Sequence, residues 1–150
     1  MRGTLQVTID CSDPATLTAF WVAALGYVVE PPPGGFDSWN AFWRSTGVPA
    51  DELPTSGDAA DSIVDPDGTG PRIWFQCVPE VKTVKNRVHL DLMVSGGRAV
   101  PLPQRRDAVD AEVDRLTDLG ATVFRVLEFE GQDYYAVVLQ DLEGNEFCVA

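Results

Sequence analysis

The chain has 150 residues, of which 45% are hydrophobic, and its formal net charge at pH 7 is −12. This size and apolar content suit one ordinary domain, or two small halves that share a core, and they argue against a multidomain enzyme. The acidic charge repels phosphate backbones and anionic lipid surfaces, so we expect neither a nucleic-acid partner nor a membrane partner.

Location and thiol chemistry follow from two simple features. The N-terminal sequence MRGTLQVTID passes directly into an alternating pattern, without the apolar run of a signal peptide, and no apolar run approaches the ~20 residues of a membrane span. The three cysteines, Cys11, Cys77 and Cys148, are odd in number and far apart, which argues against disulfides and a structural zinc site. We therefore predict a cytoplasmic protein with reduced thiols.

A strand and a helix open the chain. In LQVTID every second residue is apolar, which predicts a strand whose odd-numbered residues, from Leu5 onward, face a core. CSDPATLTAFWVAALGYVVE then predicts a helix that is capped by Ser12 or Asp13 and ends at Gly26, and another strand follows it.

The first half continues with two further predicted strands. WNAFWRS (39–45) is interpreted as a strand, and the acidic stretch after it, 46–63, as a surface loop or as a lid over a cavity. The turn DPDG then leads into the closing strand PRIWFQCV.

The second half repeats this order. RVHLDLMV predicts a strand with Val88, Leu90, Leu92 and Val94 on one face and His89 on the other. The stretch 104–129 predicts a helix that ends at Gly120 and a strand that begins near Thr122. YYAVVLQD predicts the next strand, and the turn DLEG joins it to the closing strand NEFCVA.

Each half is therefore predicted to contain a strand, a helix and three further strands, in that order. We predict an α+β fold of two β-α-β-β-β modules, about 3–80 and 85–150, within a single domain over residues 1–150. Eight strands would then form a curved sheet around a cleft, with the faces that carry Gln6 and His89 meeting there.

Three stretches carry a family resemblance: VTIDCSDPATLTAFWVAALGY at the start, NRVHLDL in the middle and LQDLEGNEFCV at the end. Their order resembles the vicinal oxygen chelate superfamily, and within it the glyoxalase-like domains. The resemblance implies binding of a small organic molecule, a lyase, isomerase or dioxygenase activity with a divalent metal (Zn, Ni, Mn or Fe), and a homodimer. The alternative within the superfamily is a metal-free protein that sequesters a drug or metabolite, of the antibiotic-resistance type that includes bleomycin resistance proteins.

The resemblance also implies which residues would hold a metal. In metal-using members the ligands come from the first and last strands of each module. Gln6 and His89 match the first-strand positions. On the closing strands the glutamate position falls on Cys148, two residues after Glu146, and in the first module on Trp74 or Gln76. The implied metal set is Gln6, His89 and Glu146.

Glu146 and His89 each have a second interpretation. The carboxylate of Glu146 is also a candidate catalytic base that shuttles a proton. His89 is alternatively a structural residue, hydrogen-bonded to Asp91, to Gln6 or to a backbone carbonyl, because buried polar groups are usually satisfied.

Aromatic and acidic residues supply the candidate substrate contacts. Trp39, Trp43 and Trp74 would form an apolar wall, to which Tyr135 adds a phenol; the alternative is ordinary packing or a dimer contact. Asp10 and Asp91 would act as an acid and a base, or else be solvated or paired with Arg87 or Arg72. The predicted substrate-binding set is thus Trp39, Trp43, Trp74, Asp10, Asp91 and Tyr135.

Overall fold

A computed structural model describes residues 3–55 and 57–150. The chain divides into two compact units, Met1–Val78 and Pro79–Ala150, called unit 1 and unit 2 below. Within the described ranges, no helix combines the length and the apolar character that crossing a membrane requires.

Unit 1 contains one four-stranded sheet. Its elements are, in chain order, β1 Gln6–Cys11, α1 Pro14–Leu25, β2 Val28–Val29, α2 Trp39–Ser45, a 3-10 helix Ala50–Glu52, β3 Ser62–Val64 and β4 Arg72–Cys77. The strands are ordered β1-β4-β3-β2, with β1 and β4 parallel and the other neighbours antiparallel.

Helix α1 begins and ends where the sequence predicts. The Asp13 carboxylate accepts a hydrogen bond from the Thr16 amide, so Asp13 is the N-cap, and Gly26 ends the helix in the left-handed region at φ 69°. The helix packs on β4 and buries Leu17 and Trp21 completely or nearly so. This contact forms the core of unit 1.

Unit 2 repeats the same topology. Its elements are β5 Asp91–Leu92, α3 Leu102–Asp118, β6 Thr122–Glu128, β7 Tyr135–Gln140 and β8 Glu146–Val149. The strands are ordered β5-β8-β7-β6, again with one parallel pair, β5 with β8. The α+β class and the two β-α-β-β-β modules are therefore confirmed.

Both closing hairpins use an aspartate to organise the turn. The Asp65 carboxylate accepts hydrogen bonds from the amides of Asp67 and Gly70, and the Asp141 carboxylate accepts them from the amides of Glu143 and Asn145. Such side-chain acceptors fix a tight turn because they satisfy amides that have no ladder partner. The turns predicted from DPDG and DLEG are therefore confirmed.

The prediction that 39–45 forms a strand is wrong, because this segment is helix α2. The Ser38 hydroxyl accepts from the Ala41 amide, and the Asp58 carboxylate accepts from the amides of Trp39 and Asn40 at 2.8 and 2.7 Å. These acceptors satisfy the first amides of the helix. The third strand of unit 1 is instead Ser62–Val64, at the end of the stretch interpreted as loop.

The strand predicted at 87–94 is also much shorter than expected, since β5 contains only Asp91 and Leu92. Val88, predicted on a core face, is 78% exposed, and Leu5, predicted on the core face of the first strand, is 74% exposed. Before β5, the Asn86 amide donates to the Glu146 carboxylate instead of to a neighbouring strand, whereas the Leu90 carbonyl accepts from the Cys148 amide of β8 at 2.9 Å.

Candidate functional site

The sheet of unit 1 has one helix-covered face and one polar face. On β4, Ile73 and Phe75 are buried, whereas Arg72, Trp74 and Gln76 alternate with them and remain half-buried. Their partners across the parallel pair with β1 are Gln6, Thr8 and Asp10, in that order. Because partners in register point to the same side of a sheet, these six side chains share one face.

Arg72 is the centre of this polar face. Its guanidinium donates to the Gln6 Oε1 at 2.8 Å, to the Glu30 carboxylate at 2.8 Å and to the Ser62 hydroxyl at 2.8 Å. Burial raises the pKa of Glu30, but hydrogen bonds from Arg72 and Ser62 outweigh it and leave the pKa lowered. Gln6 is therefore held by a protein cation.

Trp74 and Asp10 lie on the same face of this sheet. The Trp74 Nε1 donates to the Asp61 carboxylate at 2.7 Å, which fixes the indole while its ring stays half-exposed. Asp10 is exposed and lies opposite Gln76. Trp74 thus supplies the aromatic surface of the polar face, two residues along the strand from Arg72.

The other two predicted tryptophans lie on α2. Trp39 is buried and donates from Nε1 to the Glu30 carbonyl at 2.7 Å, and the Trp43 ring stacks on it with centroids 5.8 Å apart. Phe42 contacts both rings, at 5.7 and 5.0 Å. The structure brings Trp39 and Trp43 together in an aromatic cluster of their own.

The polar face of unit 2 is defined by β8. Phe147 and Val149 are buried in the core, and Glu146 and Cys148 point to the opposite face. Asp91 is the partner of Cys148 in the parallel pair, so it lies on that face as well. Burial raises the pKa of the Cys148 thiol, and the Asp91 carboxylate raises it further, so the thiol stays protonated and is a poor nucleophile.

Glu146 is a buried carboxylate with two partners. Its Oε2 accepts from the Asn86 amide at 2.9 Å and lies 3.0 Å from the Lys82 ammonium. Burial raises its pKa, but these two donors outweigh burial and lower the pKa to about 2. Because a proton-shuttling base needs a pKa near the working pH, Glu146 is poorly suited to general base catalysis.

His89 lies just before β5 and is half-buried. Its Nε2 is 2.6 Å from the Lys85 ammonium. An ammonium can only donate, so the Nε2 accepts and the proton of the neutral ring is on Nδ1. His89 therefore has a lysine partner, which none of the interpretations from sequence included.

Tyr135 lies on the opposite face of the same sheet. Along β7, Val138 and Gln140 are the partners of Cys148 and Glu146 and share their face, so Tyr135 points to the other face by strand alternation. Its hydroxyl donates to the Asp110 carboxylate of α3 at 2.6 Å. That hydrogen bond raises the pKa of Tyr135 to about 12. Tyr135 therefore lies on the face of the sheet that α3 covers, and not on the polar face that carries Glu146.

Sequence reasoning missed Lys82, Lys85 and Asn86, and it named Arg72 only as a partner for an aspartate. One signal was available in the sequence: Arg72 begins PRIWFQCV, two residues before Trp74, so it shares the face of Trp74 by strand alternation. The partners of Glu146 carried no such signal, because they lie about 60 residues away in irregular backbone.

The residues present do not fit a divalent metal. Each implied ligand is in contact with a side-chain cation: Gln6 with Arg72, His89 with Lys85 and Glu146 with Lys82. A unit charge 4 Å from another costs roughly 4 kcal/mol near a protein surface, and a divalent ion would double this to about 8 kcal/mol. In residues 3–55 and 57–150, no group of three His, Cys, Asp or Glu side chains is placed to hold a metal ion.

The comparisons with known proteins identify the family. The sequence model of the glyoxalase-like domain matches residues 6–150. The chain belongs to the glyoxalase-like domain family. The family resemblance seen in the sequence is confirmed, and the comparison with curated proteins finds no match.

Solved structures share the fold at low sequence identity. A glyoxalase/bleomycin resistance protein/dioxygenase family enzyme from Burkholderia phytofirmans PsJN is 18% identical, with a TM-score of 0.58 and coverage of 96% of this chain and 94% of that one. A variant of the fosfomycin resistance protein FosX from Listeria monocytogenes, complexed with Mn(II) and a dihydroxypropylphosphonic acid, is 12% identical, with a TM-score of 0.58 and coverage of 99% and 89%. TioX from Micromonospora sp. ML1 is 16% identical, with a TM-score of 0.51 and coverage of 99% and 97%.

Proposed function

We propose that this glyoxalase-like protein binds a small organic molecule without a metal ion, in the manner of a sequestering protein rather than a metal-dependent enzyme. The observation that carries this proposal is the cation at each implied ligand position. Arg72, Lys85 and Lys82 contact the groups that a metal would need. A metal would have to displace these cations, and the displacement of Lys82 from the buried Glu146 carboxylate costs free energy.

The polar face of unit 1 supplies the chemistry of a binding surface. Trp74 offers a ring of fixed orientation, and Arg72 and Gln6 offer hydrogen-bonding groups beside it. Small-molecule sites typically combine an aromatic or apolar surface with a few fixed polar groups. Two of the structural neighbours, the Burkholderia enzyme and FosX, are named for resistance families, which supports a ligand of drug-like size.

A metal-dependent lyase, isomerase or dioxygenase is the second candidate. It is favoured by one observation, the Mn(II) present in the FosX structure. The two candidates differ in a simple respect: the enzyme needs a metal for ligand binding or turnover, and the sequestering protein does not.

The first experiment measures metal directly. The purified protein is dialysed against micromolar Mn²⁺, Ni²⁺ or Zn²⁺, and bound metal is measured by mass spectrometry, with Gln6→Ala and His89→Ala as matched variants. We expect far less than one metal per chain in all three proteins. One metal per chain in the wild type, lost in both variants, would establish the enzyme candidate instead.

The second experiment measures ligand binding. A thermal-shift screen of small aromatic compounds is run with and without EDTA, and we expect stabilisation that the chelator does not change. A ligand at about 100 times its Kd adds about 2.7 kcal/mol to the free energy of unfolding. Trp74→Leu should abolish the shift while Trp43→Leu retains it. A loss confined to Trp43→Leu would place the aromatic wall on α2, and stabilisation that EDTA abolishes would contradict the proposal.

A further inference from the structure

Two cysteines of unit 1 are direct partners on neighbouring strands. Cys11 ends β1 and Cys77 ends β4, and the register of this parallel pair places them opposite each other. Neighbouring strands lie about 4.8 Å apart, and disulfides join residues whose Cα atoms are roughly 4.4–6.8 Å apart. The fold therefore brings these two residues to disulfide distance, although they are far apart in the sequence.

The contacts of the two thiols agree with this register. The Cys11 Sγ donates to the Gln76 carbonyl at 3.6 Å, and the Cys77 Sγ donates to the Ser12 carbonyl at 3.8 Å. Each thiol thus reaches across to the backbone beside the other cysteine. The structure contains both residues as thiols, so the pair is in its reduced form.

The two thiols differ in their access to solvent. Cys11 is only 2% exposed, whereas Cys77 is exposed. A reagent in solution therefore reaches Cys77 first, and Cys11 is the second thiol beside it. An accessible cysteine next to a second one is the arrangement of redox-active pairs, in which the second thiol resolves the first product.

We infer that Cys11 and Cys77 form a reversible redox site whose oxidant is a small disulfide such as glutathione disulfide. The Cys77 thiolate attacks one sulfur of the small disulfide, which breaks its S–S bond and releases one small thiolate. The Cys11 thiolate then attacks the Cys77 sulfur of this mixed disulfide and releases the second small thiolate. The protein loses two electrons and two protons, and the small disulfide takes them up as two thiols.

The bond that forms would join the ends of β1 and β4, directly before helix α1 begins. This inference is independent of the proposed function. Arg72 and Trp74 alternate with Ile73 and Phe75 on β4, so they point away from the face that carries Cys77. Failure of one proposal therefore leaves the other standing.

Peptide mapping tests the inference directly, because trypsin leaves each cysteine in a separate peptide: 3–44 contains Cys11, 73–82 contains Cys77 and 126–150 contains Cys148. Dilute native protein is incubated with glutathione disulfide, the remaining thiols are blocked with iodoacetamide, and the unreduced digest is analysed by mass spectrometry. We expect peptide 3–44 linked to peptide 73–82, and release of both by dithiothreitol. Cys148→Ser, the matched control, should retain the link.

Single substitutions separate the two chemical steps. Cys11→Ser should stop at the mixed disulfide between glutathione and Cys77, because the resolving thiol is absent. In Cys77→Ser, Cys11 should react with glutathione disulfide roughly tenfold more slowly than Cys77 does in the wild type, because oxidation follows exposure and Cys11 is buried.

The same reaction in urea shows whether the fold brings the thiols together. The unfolded chain must close a loop of about 65 residues, so we expect the ratio of linked protein to mixed disulfide to be roughly tenfold higher in the native protein. Three results would overturn the inference: native wild-type protein that stays unlinked, a link to peptide 126–150 instead, or equal ratios in native and unfolded protein. The wild-type measurements decide all three points if a variant fails to fold.

Discussion

The protonation state of a buried carboxylate in this protein depends on the few groups that contact it. Glu146 is buried, yet it stays ionised because the Lys82 ammonium and the Asn86 amide both donate to it. A buried carboxylate without such partners would take up a proton. The same contacts tie the segment before β5 to the closing strand of unit 2, so Glu146 serves structure as well as charge balance.

We predict that Glu146→Gln destabilises the protein by about 2 kcal/mol. The amide cannot neutralise Lys82, whose side chain is 19% exposed, and a hydrogen bond to a charged group contributes about 1.5–3 kcal/mol. Urea unfolding followed by tryptophan fluorescence measures the change. Adding Lys82→Met should recover part of the loss, because the unpaired ammonium is then removed.

Glu130→Gln is the matched control for this prediction, since it removes an exposed carboxylate of the same unit. We expect it to change the free energy of unfolding by less than about 0.5 kcal/mol. If Glu146→Gln behaves like Glu130→Gln, the link between Glu146 and the segment before β5 contributes no stability.

At the scale of elements, periodicity and turn residues predicted most of the fold. Helix α1 with its Asp13 cap and Gly26 end, the two hairpin turns, and strands β1, β4, β6, β7 and β8 follow from patterns within a few residues. The failures have a different origin. The first amide of helix α2 donates to Asp58, which lies 19 residues after Trp39, and the Asn86 amide before β5 donates to Glu146, 60 residues later. Patterns in a local window contain no information about such distant acceptors.

In the candidate site, too, some features follow from local sequence patterns and others depend on residues far away in the sequence. The residues that share a face, such as Gln6 with Trp74 and Glu146 with Cys148, follow from strand alternation. The cations that contact them could not be predicted, because Lys82 and Lys85 belong to irregular backbone whose direction no period describes. The sequence already places Cys148 and Trp74 or Gln76 where the family has glutamates, and the contacts of the candidate ligands with cations became visible only in the structure.

Helix α2 offers a prediction at this scale. Asp58→Ala removes the acceptor for two amides at the start of a seven-residue helix, and loss of such a cap typically costs about 1 kcal/mol. We expect faster hydrogen exchange for the amides of 39–45 and unchanged exchange in α3, measured by mass spectrometry. Asp58→Asn, which keeps one oxygen acceptor, should show a smaller effect. Uniform acceleration in both helices would contradict a local role for Asp58.

At the scale of the whole molecule, several of the carboxylates that make the chain acidic are stabilised in their ionised form by local contacts. Hydrogen bonds from Thr16, Thr69 and Arg106 lower the pKa of Asp13, Asp65 and Glu128, respectively. Burial raises the pKa of Glu30 and Glu146, but hydrogen bonds and cations outweigh it and lower the pKa overall. A lowered pKa means that the folded state holds its proton less tightly than the unfolded chain does.

The sign of the pH dependence follows from these directions. Below the ordinary carboxyl range, near pH 4, the unfolded chain binds more protons than the folded chain, so the free energy of unfolding falls as the pH falls. For Glu146 the loss continues down to about pH 2, its pKa in the folded protein. Repulsion among the acidic groups does not offset this decline, because the sequence pI is about 4.2 and the net charge is positive at lower pH. Salt screens the contacts of a buried carboxylate much less than it screens exposed charges.

We therefore predict that the protein becomes steadily less stable between about pH 4 and about pH 2, and that Glu146→Gln makes this decline shallower, because the substituted residue binds no proton. Urea unfolding across this range, in buffers without phosphate and at constant ionic strength, measures both curves. Because Glu130 is exposed, Glu130→Gln should leave the slope nearly unchanged. Stability that rises toward pH 2 would mean that the loss of the stabilised carboxylates does not control this part of the pH dependence.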